Sequence, residues 1–566
     1  MKTNAMMLVA GALMLGPAGC YSGMSSLDGA ESDGPDGNGP AGEDSAESGE
    51  SGDGGETDED PDTGPGAEGA CVDVGPRMLR RLSSIQMRNT LVSIFGDEGV
   101  PDGQVLTDPV VEGFKVDARE AVIRDLGAQQ VMQYAETVAD WAVEEKLAQI
   151  VPCQTTDAAC RDQIVRELGA KFHREPLDDT MAAAYADLLA AEPVFEDGVR
   201  QLVAGLMQSP YFLYRRELGD ADGDDHFVLT GYELASNLSY SLTGGPPDDA
   251  LLALAADGSL RDDDVLVAEV TRLVQSAGGQ DNLAAFVESW LEVDDLPSRA
   301  KTEEPGVVFD AEVRHDMLAE TTALFQHVYA EGGPVEELYT AEYSFLNQRL
   351  GQFYGIPGAS SDQLQRVELP AEGPGGRAVG LLGHGSVLAR HALVDNSSPV
   401  ARGVMVRRRL LCQELPDPPA DVDTNLEPIP EGVTNRERYE QHRTDPVCAA
   451  CHNMIDPVGY AFEHYDEFGL WRELEGGQPV DASGSLDGVS TDAAPLDGLD
   501  SLGQALAETE EASECFTHYM TYYTYGVNGC HPGAIVADAG GEEATLQSIL
   551  NAIVLSPHFR ERVLGE

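Results

Sequence analysis

RRLSSIQMRNTLVSIF (residues 80–95) reads as an amphipathic helix. Ser83 offers a side-chain oxygen at the point where a first helical turn leaves backbone N–H groups without partners. Ile85, Leu91, Val92 and Phe95 then recur at helical spacing and form one apolar face. The same period continues outward, and helical stretches are predicted at 118–151, 160–168, 178–189 and 199–218. An Asp/Gly-rich stretch at 219–225 interrupts it. Thr230 caps a further helix to about Leu242, and others follow near 247–256, 262–276, 281–292, 310–331 and 334–352. From 361 onward Pro and Gly increase and helices shorten. Two weak strand candidates appear, 364–369 and 480–486, before a last helical stretch at 545–565. The expected fold class is mainly α, a multidomain helical array with a small, loop-rich segment towards its C-terminal end. QLVAGLMQSPYFLYR (201–215) and SILNAIVLSPHFRER (548–562) echo one another. Ordinary helix termination before a proline is enough to explain that likeness.

The chain has 566 residues, too many for one compact core. Asp and Glu number 99 against 35 Lys and Arg, a formal charge of -64. Such a surface repels nucleic acid and anionic headgroups, so no nucleic-acid partner is expected. At the N-terminus, Lys2 precedes an apolar run at 5–15 that is too short to span a bilayer. Pro17-Ala18-Gly19-Cys20 follows and is similar to the lipobox of bacterial lipoproteins, with Pro17 departing from the usual aliphatic residue. Residues 1–20 are thus read as a lipoprotein signal peptide, with Cys20 as lipid anchor and membrane partner. Tyr21 in the next position leans towards an outer-membrane, periplasmic or cell-surface location. Residues 21–70 hold no Lys or Arg and almost no apolar side chains, so they are expected to form a disordered acidic linker.

Export permits disulfides. Cys153 with Cys160, and Cys515 with Cys530, are close enough in sequence to be local pairs, which leaves Cys71 and Cys412 for a long-range one. Cys448-Ala449-Ala450-Cys451-His452 stands apart. Two thiols three residues apart on a helical turn can form thioethers with the two haem vinyl groups, and the adjacent His can ligate the iron. A Cys448–Cys451 disulfide, a redox dithiol and half of a zinc site are the alternatives. No second Cys/His pair is well spaced nearby for zinc. Asp220-Ala221-Asp222-Gly223-Asp224 suggests a calcium loop, but position six is Asp225 and position twelve is Gly231, so only a weak surface Ca²⁺ site is expected. Asp456, Glu463 and Asp466 follow the Cys-x-x-Cys-His run at helical spacing. They read either as groups that orient His452 or relay protons, or as a helix cap at Asp456 with two solvated charges. Arg402, Arg407, Arg408 and Arg409 form the one basic cluster, suited to haem propionates, to an acidic partner or to local charge balance.

RTDPVCAACHNMIDPVGYAFEHYDEFGLWR (443–472) resembles the signature of a group of exported multidomain proteins known from planctomycetes and myxobacteria. They are described mostly as domains of unknown function, some with a cytochrome-c-like segment. RLSSIQMRNTLVSIFG (81–96), FHREPL (172–177), LMQSPYFLYRRELG (206–219), LTGYELASNLSYSLTGGPPDDALLALAADGSL (229–260) and YSFLNQRLGQFYGI (343–356) resemble its successive units. So do GLLGHGSVLARHALVDNSSPVARGVMVRRRLLC (380–412) and CFTHYMTYYTYGVNG (515–529). Asn237 stands where the resemblance leads one to expect Arg, and Gly526-Val527 where it leads one to expect Gly-Arg. The resemblance implies helical units at 71–150, 151–220 and 221–360, a haem-like unit carrying the motif at 361–475, and a C-terminal helical unit at 476–566. It also makes electron transfer, with a redox partner protein, or a haem-dependent oxidoreductase activity the natural expectation. Covalent haem c would sit on Cys448, Cys451 and His452, with His452 as the metal ligand. His384 is the preferred sixth ligand, ahead of Met405, Met454, Met520 and His518. Two further classes stay open: a non-enzymatic envelope or binding lipoprotein with Cys448–Cys451 as a disulfide, and a hydrolase using scattered carboxylates.

Overall fold

Short polar side chains start the helices. Ser83 accepts from the Gln86 N–H while the Gln86 side chain accepts from the Ser83 N–H, a closed capping box that begins the helix Ser84–Phe95. Thr230 and Glu233 do the same for Gly231–Thr243. Asp157, Asp178 and Asp248 cap Ala158–His173, Asp179–Ala190 and Asp249–Asp257 through a single side-chain bond each. The computed structural model describes residues 74–564 apart from 97–98, 104–105, 154–155, 371–376, 378, 416–431, 445–447 and 491–494. The expected signal peptide with Cys20, the expected acidic linker and Cys71 therefore lie outside the described residues.

The helices bury their apolar faces in two large cores, and the protein is mainly α. Ser84–Phe95, Asp125–Glu145, Ala158–His173, Asp179–Ala190 and Phe195–Met207 share the first. Gly231–Thr243, Ala277–Trp290, Ala311–Glu331, Glu510–Tyr525 and Leu546–Leu555 share the second, around Phe286, Trp290, Phe325 and Phe516. Tyr240 joins them. Its helix neighbours Leu238 and Leu242 belong to the second core, while its ring lies in the first and its hydroxyl meets Thr90 Oγ1 at 2.7 Å.

Sheets are small and tie distant parts of the chain together. Gly75–Pro76 pairs in parallel with Glu561–Val563, which pairs in turn with His226–Val228. Met78–Arg81 pairs with Tyr214–Glu217. Beside these strands Arg80, Arg215 and Arg562 are buried, and Arg80 and Arg562 both pair with the buried carboxylate of Glu217. A cavity of about 10 Å³ sits there, and both Asn237 and Val527 line it. The two departures from the family pattern thus meet at one place in the fold.

The structure corrects three long helical readings. At 199–218 the helix Phe195–Met207 stops before Ser209-Pro210, and after one turn, Pro210–Leu213, the chain becomes the strand Tyr214–Glu217. A proline cannot donate the next helical bond and pushes its predecessor out of the helical region. The C-terminal echo follows the same course: Leu546–Leu555, Ser556 as cap, Pro557–Arg560, then the strand Glu561–Val563. At 334–352 the strand Tyr343–Leu346 intervenes and pairs with Gln365–Glu368, where a strand was expected. Among the described residues no helix is long and apolar enough to cross a membrane.

Cys153 is bonded to Cys160. Cys515 is bonded to Cys412, with Cα atoms 5.2 Å apart, so neither the Cys515–Cys530 pair nor a Cys71–Cys412 pair forms. Cys515 lies in the helix Glu510–Tyr525. At 1.5 Å per residue its ten residues to Tyr525 span about 15 Å, well beyond the reach of a disulfide. Cys530 follows the turn at that far end and is itself disulfide-bonded. At 220–225 the calcium-like stretch forms part of a hairpin, Asp220–Ala221 against His226–Val228. No group of three or more His, Cys, Asp or Glu among the described residues is placed to hold a metal ion.

Candidate functional site: the Cys-x-x-Cys-His helix

Cys448 occupies the N-cap position of the helix Ala449–Gly459, which carries Cys451 and His452 in its first turn. The helix is packed backbone to backbone against Pro399–Met405. A Cβ on Gly403 would run into the Ile455 carbonyl, and one on Gly459 into the Pro399 carbonyl, so both positions require glycine. Ile455, Asp456, Pro457, Val458 and Gly459 are buried on this side. Pro457 lies inside the helix and not at its first turn, and Asp456 does not cap it. On the other side Cys448, Cys451 and His452 are half-buried and Met454 is exposed. Cys451 packs against a small apolar cluster of Val400, Leu415, Tyr439 and Ile455.

Neither Cys448 nor Cys451 is in a disulfide. His452 Nδ1 lies 2.9 and 3.1 Å from the two carboxylate oxygens of Asp456, one helical turn on. The Asp456 side chain is 0% exposed. A carboxylate can only accept, so it draws the imidazole proton to Nδ1 and leaves the ring lone pair on Nε2. Two thiols in the reduced form and an imidazole in the ligating tautomer on one turn are the donor set that haem c requires.

The surrounding segment is braced by buried charge. The Arg402 side chain is completely buried; its Nη1 donates to the carbonyls of Phe462 (3.1 Å) and Tyr465 (2.7 Å) and its Nη2 to those of Leu388 (3.0 Å) and Asp466 (2.7 Å). Burial lowers its pKa to about 10. Arg407 donates to the Met454 carbonyl at 3.1 Å, and Arg409 to those of Trp290 and Glu112 at 2.6 and 2.8 Å. These arginines are internal braces, not a surface for propionates or an acidic partner. In the sequence Val400, Val404, Met405, Val406, Leu410 and Leu411 interleave with these arginines, and that mixture is the one local hint of their burial. Glu463 is buried as well, and its Oε2 accepts from Ser397, Asn435 and Arg472 at 3.2, 3.3 and 2.8 Å. Asp466 accepts from the N–H groups of Phe468 and Leu470 and so forms a local turn.

His384 is placed elsewhere. It is 1% exposed, with Nδ1 3.0 Å from Thr321 Oγ1 and Nε2 3.3 Å from Ser344 Oγ. Glu320 sits behind Ser344 and also accepts from the Tyr354 hydroxyl at 2.7 Å. Both ring nitrogens of His384 are thus engaged by hydroxyls in a buried network. Of the other candidates, Met454 is exposed on the motif helix itself, two residues after His452. Met405 and Met520 are buried in the large second core, and His518 pairs with Glu112 at 3.1 Å.

Three family models match the chain in order. The model PSD3, protein of unknown function (DUF1587), covers residues 80–144; PSD4, protein of unknown function (DUF1592), covers 229–356. The model PSCyt3, protein of unknown function (DUF1588), covers 378–475, which takes in Arg402, the Cys-x-x-Cys-His helix and Glu463. No curated protein and no solved structure matches the chain. The three domains in this succession make the chain a member of the planctomycete-type multidomain family of unknown function.

Proposed function

We propose that this chain is a c-type haem protein of the cell envelope, exported and anchored to the outer membrane through a lipid on Cys20. Its role is electron transfer to a partner protein or a haem-dependent oxidation. The observation that carries this reading is the helical turn bearing two reduced thiols and an imidazole whose Nδ1 is held by Asp456. Attachment needs no oxidant: each S–H adds across one vinyl double bond, sulfur bonding to the carbon next to the ring and hydrogen to the terminal carbon. Both cysteines must enter that reaction as thiols, as they stand here. The bound group would supply a one-electron iron couple. The chain's own residues hold and orient it: Cys448 and Cys451 as thioether sulfurs, His452 as ligand, and Gly403 and Gly459 by letting the supporting helix close behind them.

The test is the absorption spectrum of the chain produced together with c-type maturation machinery, with haem staining on a denaturing gel. A Soret band, sharp reduced α and β bands and a stained polypeptide are expected. All three should be absent from Cys448→Ala/Cys451→Ala. A folded, colourless wild-type protein sinks the proposal and favours the alternative of a non-enzymatic envelope protein.

A further inference from the structure

We infer that Asp456 is a positioning residue for His452, and that its buried charge biases the site towards the oxidised metal; this rests on the haem reading above. Four features combine. Asp456 lies one helical turn beyond His452 and meets Nδ1 with both oxygens, at 2.9 and 3.1 Å. Its side chain is 0% exposed while the imidazole is 15% exposed, so the carboxylate is shielded from water and the ring is only partly so. The helix that carries both is fixed in place. Gly403 and Gly459 hold it against Pro399–Met405, Ile455 is fully buried, and Arg407 anchors the Met454 carbonyl between them. Buried aromatic side chains from two elements, Tyr439 and Tyr460, lie in the field of Asp456, and their phenols are pushed up by burial first and by that negative charge in addition.

An exposed His–Asp pair would be screened and worth little. A buried one is different, because the field of the carboxylate is transmitted through low dielectric. A neutral carbonyl acceptor would fix the tautomer equally well. A carboxylate does more: it draws the Nδ1 proton, strengthens Nε2 as a donor and favours the more positive metal oxidation state. The midpoint potential is therefore lower than the same ligand set would give with a neutral acceptor.

The experiment uses the full chain matured with haem, as wild type, Asp456→Asn and Asp456→Glu. Covalent haem is expected in all three. The Asn variant should shift to a more positive midpoint potential and a weaker iron–histidine stretch in resonance Raman spectra, and the Glu variant should return towards wild type. A loaded Asn variant with the potential and stretch of wild type overturns the inference. So does a Glu variant displaced as far as the Asn one. A wild-type chain without haem overturns the parent reading instead. The positional part is then read from imidazole ¹⁵N shifts of His452 in the unloaded full chain. A proton on Nδ1 supports it, and a proton on Nε2 alone overturns it, whether or not the variants fold.

Discussion

Two histidines of this protein sit beside buried carboxylates and are held in different ways. Around His384, Glu320 is 1% exposed, hydroxyls take both ring nitrogens, and Tyr354 closes the network through the Gly385 N–H at 3.0 Å. Around His452, one nitrogen meets a buried carboxylate and the ring lies at the edge of the molecule. The first arrangement joins the helix Ala311–Glu331, the strand Tyr343–Leu346 and the helix Gly385–Arg390. The second occupies a single helix. A buried titratable side chain whose two ring nitrogens meet partners from two other elements ties the fold together. His452, by contrast, meets a carboxylate of its own helix and is partly exposed.

The comparison can be broken at its interior end first. His384→Ala removes two hydrogen bonds, leaves Thr321 and Ser344 with their remaining partners Ser386 and Glu320, and opens a cavity. A loss of roughly 3–5 kcal/mol in urea unfolding is expected, with the haem spectrum of the folded fraction unchanged. A lost spectrum at intact stability would reverse the two assignments.

A smaller effect follows from pH. His173 and His558 are pushed down to about 4 and His391 to about 3, in each case chiefly by burial, against about 6.5 in an unfolded chain. Burial lowers His384 in the same direction. As pH falls below about 6.5 the unfolded chain takes up protons that the folded chain refuses, so stability falls. The urea midpoint should therefore decline between pH 7 and 5.5, before protonation of the many carboxylates relieves surface repulsion. A flat or rising midpoint in that window would show that these histidines are solvated. The smallest stability effect is expected at the other end of the comparison. His452→Gln keeps a donor near Asp456 and should cost about 1 kcal/mol or less, yet abolish the low-spin iron spectrum. A large stability loss would place His452 in the same class as His384.

The regular part of this architecture was legible from local chemistry. Ser83 and Thr230 announce helix starts because an oxygen at that offset finds the third N–H of the turn, and this needs no tertiary contact. The strand Tyr343–Leu346 was not legible, because its four residues sit between helical patterns and are fixed only by pairing with Gln365–Glu368. The two Ser-Pro echoes illustrate both cases. Each reads as a helix end, and each is one. Only the folded chain reveals that both continue into strands that meet, with Glu217 of the first paired to Arg562 of the second.

The sequence by itself determined the donor set, because Cys448, Cys451 and His452 are brought together by covalent spacing on one turn. It also determined the helical class, since a period of about 3.6 residues is a property of local backbone geometry. Tertiary structure decided the rest. It bonded Cys412 to Cys515, sealed Arg402 among carbonyls, closed His384 into a hydroxyl network and left His452 at the edge. Those outcomes depend on which distant surfaces are excluded from water together, and burial is a property of packed elements that no local spacing encodes.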